Sequence, residues 1–325
     1  MGCSSGARPG RGECEFTISL RDGMVDGVPG GIPEAGGGGG VSLQPLASTP
    51  ESVPSTRVEA AKSEICRRER ITRGNVPDVS GTVHFARLTG SRTLADGVIE
   101  YHFTLTSDDT AMRWRSGQFL SLRVGESADG TPILRSYSIA SRPDPGGRFR
   151  LVLKLVPGGS ASEWFRALAV GAEVRFTGPM GFFVLDPAHP GDLVFGATGT
   201  GLAPIVPMIE DVLDRGAPGG SETSRIHLFF GVRAPTDLFW TDEIDRLVAA
   251  SRGRLTATIS LTQPPPDWSS ARGRITPQIF ALLPALDRPT FYLCGNGAMI
   301  REVKAGLIAR GVDRKQQIRT EAFFD

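Results

Sequence analysis

A change of sequence pattern near residue 190 constrains this chain more than any other feature. From about residue 81 to residue 177, short runs of alternating apolar and polar residues follow each other closely, separated by glycine, proline and aspartate. Such spacing is typical of a small antiparallel barrel or sandwich. We predict strands at 81–88, 98–106, 119–124, 136–140, 149–155 and 173–177, with one helix at 161–168.

From Asp192 onward, apolar runs alternate with helical segments, which indicates βαβ units and a parallel sheet. We predict strands at 193–195, 226–231, 255–261, 291–294 and 318–322, and helices at 204–215, 241–251, 277–283 and 298–309. Two domains suit the length of 325 residues, because single cores rarely grow beyond roughly 250–300 residues.

Residues 1–77 differ in composition from the rest of the chain. They contain the consecutive glycines Gly36 to Gly40, with several prolines around them. A segment of this kind buries too little apolar surface to offset the entropy that it loses on ordering. We therefore expect a low-complexity, disordered leader.

The composition excludes several classes of protein. A net charge of +1 does not indicate a broad nucleic-acid-binding surface. Cys3, Cys14, Cys66 and Cys294 are far apart, so their spacing supports neither a disulfide framework nor a zinc or iron–sulfur site. No apolar run reaches about 18 residues and no signal peptide is evident, so we expect a cytoplasmic protein without a membrane span or a metal site.

The first segment whose side chains could bind a ligand is Arg135-Ser136-Tyr137-Ser138. In a strand, residues 135 and 137 share one face. A guanidinium suits a phosphate, and an aromatic ring suits stacking on a flat group. Taken alone, the tetrapeptide fits an exposed strand with a polar stripe equally well.

The second segment runs from Val156 to Glu163 between a predicted strand and a helix. Backbone N–H groups at a helix start attract anions, and glycine allows a phosphate to approach closely. Ordinary capping by Ser160 or Ser162 explains the same residues. The segment by itself leaves both interpretations open.

Three further segments follow predicted strands in the second half. Gly196–Pro204 is a glycine-rich turn that opens a helix, which is moderate evidence for a nucleotide. Cys294–Met299 lies at the carboxyl end of a strand, where open α/β sheets bind ligands, although a small buried cysteine is the simpler interpretation. The aromatic C-terminus, Glu321–Asp325, would place a ring near a cofactor.

In order and spacing, these segments resemble the ferredoxin–NADP reductase superfamily, which includes the reductase components of bacterial oxygenases. Gly178–Phe183 and Gly231–Phe239 also resemble segments of that family, and the resemblance covers about residue 80 to the end. It implies a β-barrel FAD-binding domain at 78–188, followed by an α/β parallel-sheet NAD(P)-binding domain at 189–325. FAD is favoured over FMN, although the Gly-Gly-Ser run suits either.

The resemblance assigns roles on the flavin side. Arg135 would pair with the pyrophosphate, Tyr137 would stack on the isoalloxazine ring, and Ser138 would hydrogen-bond near N5. Ser136 belongs to the same motif. The residues that would line the nucleotide end or bind the pyrophosphate are Val152, Lys154, Gly159, Ser160, Ala161 and Ser162.

The resemblance also assigns roles on the nicotinamide side. Cys294, with Gly295, would sit against the nicotinamide C4, Glu321 would handle hydride or protons, and Phe323 would cover the flavin until nicotinamide displaces it. The residues that would hold the phosphates or the adenosine of the nicotinamide nucleotide are Thr198, Gly199, Thr200, Gly201, Arg233 and Phe239. Ser138, Cys294 and Glu321 are thus the predicted catalytic residues.

Two departures from the family pattern are visible. The C-x4-C-x2-C spacing of a plant-type [2Fe–2S] domain is missing, so we do not expect a fused cluster domain. The ending Phe323-Phe324-Asp325 extends two residues beyond the usual terminal aromatic residue.

The implied function is an NAD(P)H-dependent flavoprotein reductase. It would transfer hydride to bound FAD and pass electrons singly to a separate acceptor, such as a ferredoxin or another iron–sulfur protein. Two alternatives stay open: a reductase of a small acceptor (a flavin, a quinone or ferric iron), and a non-catalytic electron-transfer subunit. The sequence does not decide between NADH and NADPH, since Arg233 fits both.

A substitution of Cys294 tests the predicted nicotinamide contact. We expect Cys294→Ala to lower the rate of hydride transfer and to leave the flavin bound, because the side chain would touch the nicotinamide and not the flavin. Stopped-flow flavin reduction and the flavin content of the purified variant measure the two effects. Flavin loss with unchanged hydride transfer would contradict the assignment.

Overall fold

The computed structural model describes residues 82–106, 112–186, 191–215 and 224–324. The predicted disordered leader at 1–77 lies outside the described residues. The described part of the chain forms two six-stranded sheets within one compact unit.

The first sheet is antiparallel, as predicted. Its strands are β1 (Val83–Ala95), β2 (Val98–Leu105), β3 (Phe119–Glu126), β4 (Pro132–Ser138), β5 (Arg148–Lys154) and β6 (Glu173–Met180). Their order is β4-β3-β6-β1-β2-β5. A bridge between Ile139 and Leu151 joins the two outer strands, so the sheet closes into a barrel.

Alternating burial fills the barrel. In β1, for example, His84, Ala86 and Leu88 are buried while their neighbours are exposed. Helix α1 (Ser160–Ala167) follows β5, and its Phe165 packs against Tyr101 of β2 with ring centroids 4.9 Å apart. The single predicted helix of this domain therefore contributes Phe165 to the barrel's core.

The second sheet is parallel throughout, as predicted. Its strands are β7 (Leu193–Thr198), β8 (Ile226–Val232), β9 (Leu255–Leu261), β10 (Ala271–Arg272), β11 (Thr290–Asn296) and β12 (Ile318–Phe324). Their order is β10-β9-β8-β7-β11-β12. The helices are α2 (Leu202–Arg215), α3 (Thr241–Ala250), α4 (Ile275–Leu282), α5 (Gly297–Ile308) and α6 (Arg314–Gln317).

Helices cover both faces of this sheet, which explains its continuous apolar strands. All residues of β8 are buried, and β7 and β11 are buried except at their last residue. One core includes Phe195, Tyr292 and Cys294, and the opposite face carries Val194 and Phe291. The carboxyl ends of β7, β11 and β12 consequently meet at one edge of the sheet.

Some boundaries differ from the sequence prediction. β1 continues past residue 88 to Ala95 across two irregularities in its pairing with β2, which interrupt the alternating pattern. β4 begins at Pro132, before the predicted start at residue 136, since its first three residues are all apolar and therefore show no alternation of apolar and polar residues. β10 and α6, with two and four residues, are too short to give a periodic pattern.

The 3-10 turns Gly199–Gly201, Pro235–Asp237 and Leu283–Ala285 complete the second domain. Across the described ranges, we find no helix that is both long and apolar enough to span a membrane.

Asp192 begins the second domain and provides a test of its stability. It is 4% exposed, and its carboxylate accepts hydrogen bonds from the Arg225 guanidinium and from the backbone N–H groups of Arg225 and Asp287. Burial alone would raise the pKa of Asp192, but these donors outweigh burial and hold the pKa below its ordinary value. The carboxylate therefore stabilises the fold in its ionised form.

We expect Asp192→Asn to lower the free energy of unfolding by about 1–3 kcal/mol at pH 7, because it weakens buried charge-assisted hydrogen bonds. A group whose pKa falls on folding stabilises above its unfolded pKa, and this contribution is lost as the pH falls. The difference between variant and wild type should therefore shrink below about pH 4. Urea unfolding of both proteins at several pH values from about 7 to about 3.5 measures this difference in the free energy of unfolding.

Arg148→Gln is the matched control, because Arg148 forms an exposed ion pair with Asp144 in the barrel. This change should leave unfolding unaltered. A loss in Asp192→Asn that does not vary with pH would show that the charge of Asp192 is not the stabilising feature.

Candidate functional site

One cleft lies between the barrel and the carboxyl edge of the parallel sheet. Its walls come from β4, β5 and α1 on the barrel side, and from β12 and the start of α2 on the other side. The lining residues are Phe119, Leu134, Arg135, Ser136, Tyr137, Ser138, Val152, Leu153, Lys154, Val156, Gly159, Ser160, Ala161, Ser162, Thr200, Ala203, Glu321 and Phe323. Segments from both halves of the chain therefore meet in one place.

β4 supplies a cation and a flat ring to this cleft. The half-buried Arg135 donates a hydrogen bond to the Leu134 carbonyl and forms no ion pair within the part of the chain that the structure describes. Tyr137 packs edge-on against Phe165, with ring centroids 5.2 Å apart. Burial raises the pKa of Tyr137 to about 12, so its hydroxyl stays protonated. A phosphate partner and a neutral stacking surface thus lie side by side.

The start of α1 presents backbone donors to the same cleft. The helix begins after Gly159 without a side-chain cap, so its first N–H groups are available to an anion. The hydroxyl of Ser162 accepts a hydrogen bond from the backbone N–H of Val156 at 2.8 Å, which fixes the preceding turn. The arrangement therefore combines a structural serine with an anion-binding helix start.

A hydrogen bond connects the barrel to the last strand of the parallel sheet. The Ser138 hydroxyl donates to the Glu321 carboxylate at 2.8 Å. Burial raises the pKa of Glu321 to about 7, and the hydrogen bond from Ser138 offsets only part of that increase. Glu321 can therefore hold or release a proton near neutral pH.

Cys294 lies next to this pair but beneath the surface of the cleft. It pairs in register with Glu321 across β11 and β12 and is 0% exposed. Burial, together with the charge of Glu321, raises the pKa of the Cys294 thiol well above its ordinary value, so the thiol stays protonated. The structure brings Cys294 close to the site without exposing it, and its predicted contact with nicotinamide stays a prediction.

Two glycine turns pack together at the edge of the sheet. A Cβ at Gly201 would lie 2.3 Å from the Cys294 carbonyl oxygen, and one at Gly295 would lie 2.4 Å from the Thr198 carbonyl oxygen. The Thr198 hydroxyl also accepts a hydrogen bond from the backbone N–H of Asn296 at 2.9 Å. Close backbone packing therefore requires glycine here, independently of any ligand.

Of the predicted phosphate turn, Thr200 lines the cleft, while Thr198, Gly199 and Gly201 lie directly beside it. Arg233 follows β8 and is exposed. These residues occupy the carboxyl edge of the sheet, the location expected for a nucleotide in an open α/β fold.

Phe239, which the resemblance places near the adenosine, lies in the core of the second domain. It is 3% exposed and packs in the core against Phe230 and Trp240. The sequence did not reveal this burial, because the apolar residues before α3 carry no alternating pattern that separates core from surface. The predicted place of Phe239 near the adenosine stays a prediction.

Some apolar residues of the cleft were not among the predicted site residues. They are Phe119, Leu134, Leu153, Val156 and Ala203. Strand periodicity could have suggested Leu134 and Leu153 as neighbours of predicted site residues. Phe119 lies at the cleft because β3 pairs with β4 in a register that places Phe119 opposite Ser138, and this register is a tertiary feature.

The residues present fit a flavin dinucleotide and a nicotinamide dinucleotide. An arginine without an ion pair among the described residues, an uncapped helix start and a protonated tyrosine suit a pyrophosphate and a planar ring. The adjoining glycine edge suits a second nucleotide. The fold and the cleft thus define a two-domain nucleotide-dependent flavoprotein.

Comparison with known proteins supports this conclusion. Residues 86–185 match the family model of the oxidoreductase FAD-binding domain, and residues 195–305 match that of the oxidoreductase NAD-binding domain. The chain is 34% identical to ferredoxin–NADP reductase B of Sorangium cellulosum over 239 residues, covering 71% of this chain and 93% of that protein. It is 28% identical to NADH-cytochrome b5 reductase 1 of Candida albicans over 220 residues, covering 67% and 73%.

The crystal structure of Amycolatopsis cytochrome P450 reductase GcoB superposes with a TM-score of 0.65 at 25% identity, covering 75% of this chain and 70% of that chain. The chain belongs to the ferredoxin–NADP reductase superfamily. It is an NAD(P)H-dependent FAD oxidoreductase.

The titration of Glu321 provides a test of the site. We expect flavin reduction to slow by roughly fivefold as the pH rises through 7. The ionised carboxylate would repel the negative charge that develops on the flavin, and a barrier higher by about 1 kcal/mol corresponds to that factor. Glu321→Gln should abolish this dependence. The rate of flavin reduction is measured by stopped flow in both proteins from about pH 6 to about pH 8.5, a range that includes the titration.

Glu302→Gln is the control, because Glu302 lies on α5 in an exposed pair with Arg274. It should keep the wild-type pH profile. An unchanged inflection in Glu321→Gln would assign the titration to another group.

Proposed function

We propose that this reductase passes electrons from NAD(P)H, through FAD bound in the cleft, to a separate iron–sulfur protein such as a ferredoxin or an oxygenase component. The convergence of β4, the start of α1 and the end of β12 in one cleft carries the proposal. When bound, the flavin accepts a hydride from NAD(P)H and releases electrons one at a time. The protein's contribution is binding, orientation and electrostatics.

On the flavin side, Arg135 and the N–H groups at Gly159–Ser162 would bind the pyrophosphate. Tyr137 would stack on the ring, and Ser138 would hydrogen-bond at its edge. Val152 and Lys154 line the cleft nearby, on β5. This set of donors matches one pyrophosphate and one planar ring.

On the nicotinamide side, Thr198–Gly201 and Gly295 would hold the phosphates, and Arg233 would lie toward the adenosine. Glu321 would hold a proton at its carboxylate next to the Ser138 hydroxyl. Phe323 lines the cleft in a half-buried position, which suits a ring that covers the flavin until nicotinamide displaces it. Proximity is the main catalytic contribution, because hydride transfer needs near contact.

The names of similar proteins support an electron-transfer partner without fixing it. One relative is a ferredoxin–NADP reductase, another is an NADH-cytochrome b5 reductase, and a structural neighbour is a cytochrome P450 reductase. The first two names also differ in the donor, so NADH and NADPH both need testing. The cytoplasmic location stays a prediction.

Anaerobic stopped-flow mixing of the purified flavoprotein with NADH and then NADPH is the first test. We expect the flavin absorbance to bleach rapidly with one of them, because the cleft and the glycine edge adjoin. A yellow protein that neither nucleotide reduces would indicate an electron-transfer subunit. A colourless protein would contradict the flavin site itself.

The reduced protein then tests the acceptor. We expect a [2Fe–2S] ferredoxin to reoxidise it at least about tenfold faster than equal concentrations of free FMN, a quinone or ferric citrate, since specific docking raises the effective concentration of the acceptor. The reverse ranking would support a reductase of small molecules instead.

A further inference from the structure

A buried carboxylate in the barrel connects the two domains. Glu100 of β2 is 0% exposed, and its carboxylate accepts hydrogen bonds from Arg92 Nε and Trp240 Nε1, each at 2.9 Å. Its oxygens also lie 2.7 Å from His102 Nε2 and 3.5 Å from Arg150 Nη1. Burying a charge is costly unless donors surround it. Here one of the donors comes from the other domain.

These neighbours keep Glu100 ionised. Burial would raise the pKa of Glu100, but the hydrogen bond from Arg92 and the charges of Arg150, Arg92 and His102 outweigh burial and hold the pKa below its ordinary value. The bond from Trp240 is therefore charge-assisted, which makes it stronger than a neutral bond.

Trp240 has an unusual backbone conformation at the start of α3. Its φ is 55°, a left-handed conformation that is rare for a bulky residue. Its ring packs on Phe239, and the Arg150 guanidinium lies 4.5 Å from the ring centroid. Contacts from the barrel therefore hold the residue that directly follows the Gly231–Phe239 segment.

Three more interdomain contacts reach the same stretch of chain. The Asp96 backbone N–H donates to the Thr236 carbonyl at 3.2 Å. Lys154 pairs with Asp237 at 3.2 Å, and Arg150 pairs with Glu243 at 2.7 Å. Residues 236–243 are thus fixed to the barrel, although they belong to the parallel-sheet domain.

The same barrel strands also line the cleft. Glu100 of β2 pairs in register with Val152 of β5, and both Val152 and Lys154 line the cleft. One rigid strand pair therefore bounds the flavin cleft and holds the chain that follows β8.

We propose that Glu100 is a positioning residue, which acts through Trp240 to set the distance between the bound nicotinamide donor and the flavin cleft. Neither residue lines the cleft, so neither touches the reacting atoms. The inference rests on the NAD(P)H-dependent reductase activity and does not depend on the identity of the acceptor.

Trp240→Phe is the direct test, because it removes the N–H donor and keeps a ring beneath Arg150. We expect the limiting rate of flavin reduction at saturating donor to fall by roughly tenfold, because a misplaced donor loses near contact. The flavin content and the rate of reoxidation by an acceptor such as ferricyanide should stay at wild-type values. A merely structural role would instead lower the flavin content, or would slow both the reduction of the flavin and its reoxidation.

Trp114→Phe is the matched control. The Trp114 Nε1 donates to the Ser141 carbonyl at 2.9 Å, so this change also removes a buried indole hydrogen bond, but one that lies within the barrel. It should leave flavin reduction unchanged. An equal slowing in Trp114→Phe would show that any lost indole bond has this effect.

A double-mutant cycle tests the connection itself. Glu100→Gln should slow flavin reduction, and Glu100→Gln combined with Trp240→Phe should be no slower than the more damaging single variant, because both changes break one link. If the fold-decrease in the rate for the double variant equals the product of the two single decreases, the two residues act independently, and this result would overturn the proposal. Flavin loss in both single variants would overturn it as well, whereas wild-type protein that no donor reduces would contradict the reductase function instead.

Discussion

The arrangement of the parallel sheet is the constraint on which the rest of this structure depends. Because β7, β11 and β12 are neighbours and run in the same direction, their carboxyl ends lie at one edge. That edge brings Thr198, Gly295 and Glu321 together from distant parts of the sequence. Gly201 and Gly295 then allow the turns to pack on each other's backbone. The barrel closes the site from the other side.

Two carboxylates at the domain boundary show how the surroundings set their charge. Glu100 is fully buried, yet cationic and indole donors keep it ionised. Glu321 has Ser138 as its hydrogen-bonding partner, so burial dominates and its pKa approaches neutrality. The first thus suits a fixed structural link, and the second suits a group that exchanges a proton.

Much of the fold could be predicted because its patterns are local. Alternation identified the barrel strands, and continuous apolar runs identified β7, β8 and β11. The polar site residues Arg135, Tyr137, Ser138 and Glu321 all proved to line one cleft. Glu100 and Trp240 were not identified, because burial between domains leaves no periodic signal in the sequence.

The sequence by itself determined the two domain types, their order and the chemical groups available for a flavin and a nicotinamide nucleotide. Only the tertiary structure decided which groups meet, since the Ser138–Glu321 bond joins two residues that lie 183 positions apart, one in each domain. It also decided that Cys294 lies beneath the surface and that the barrel holds the chain around Trp240. The physical reason is that contact, burial and charge depend on neighbours distant in sequence, whereas periodicity records only the local backbone.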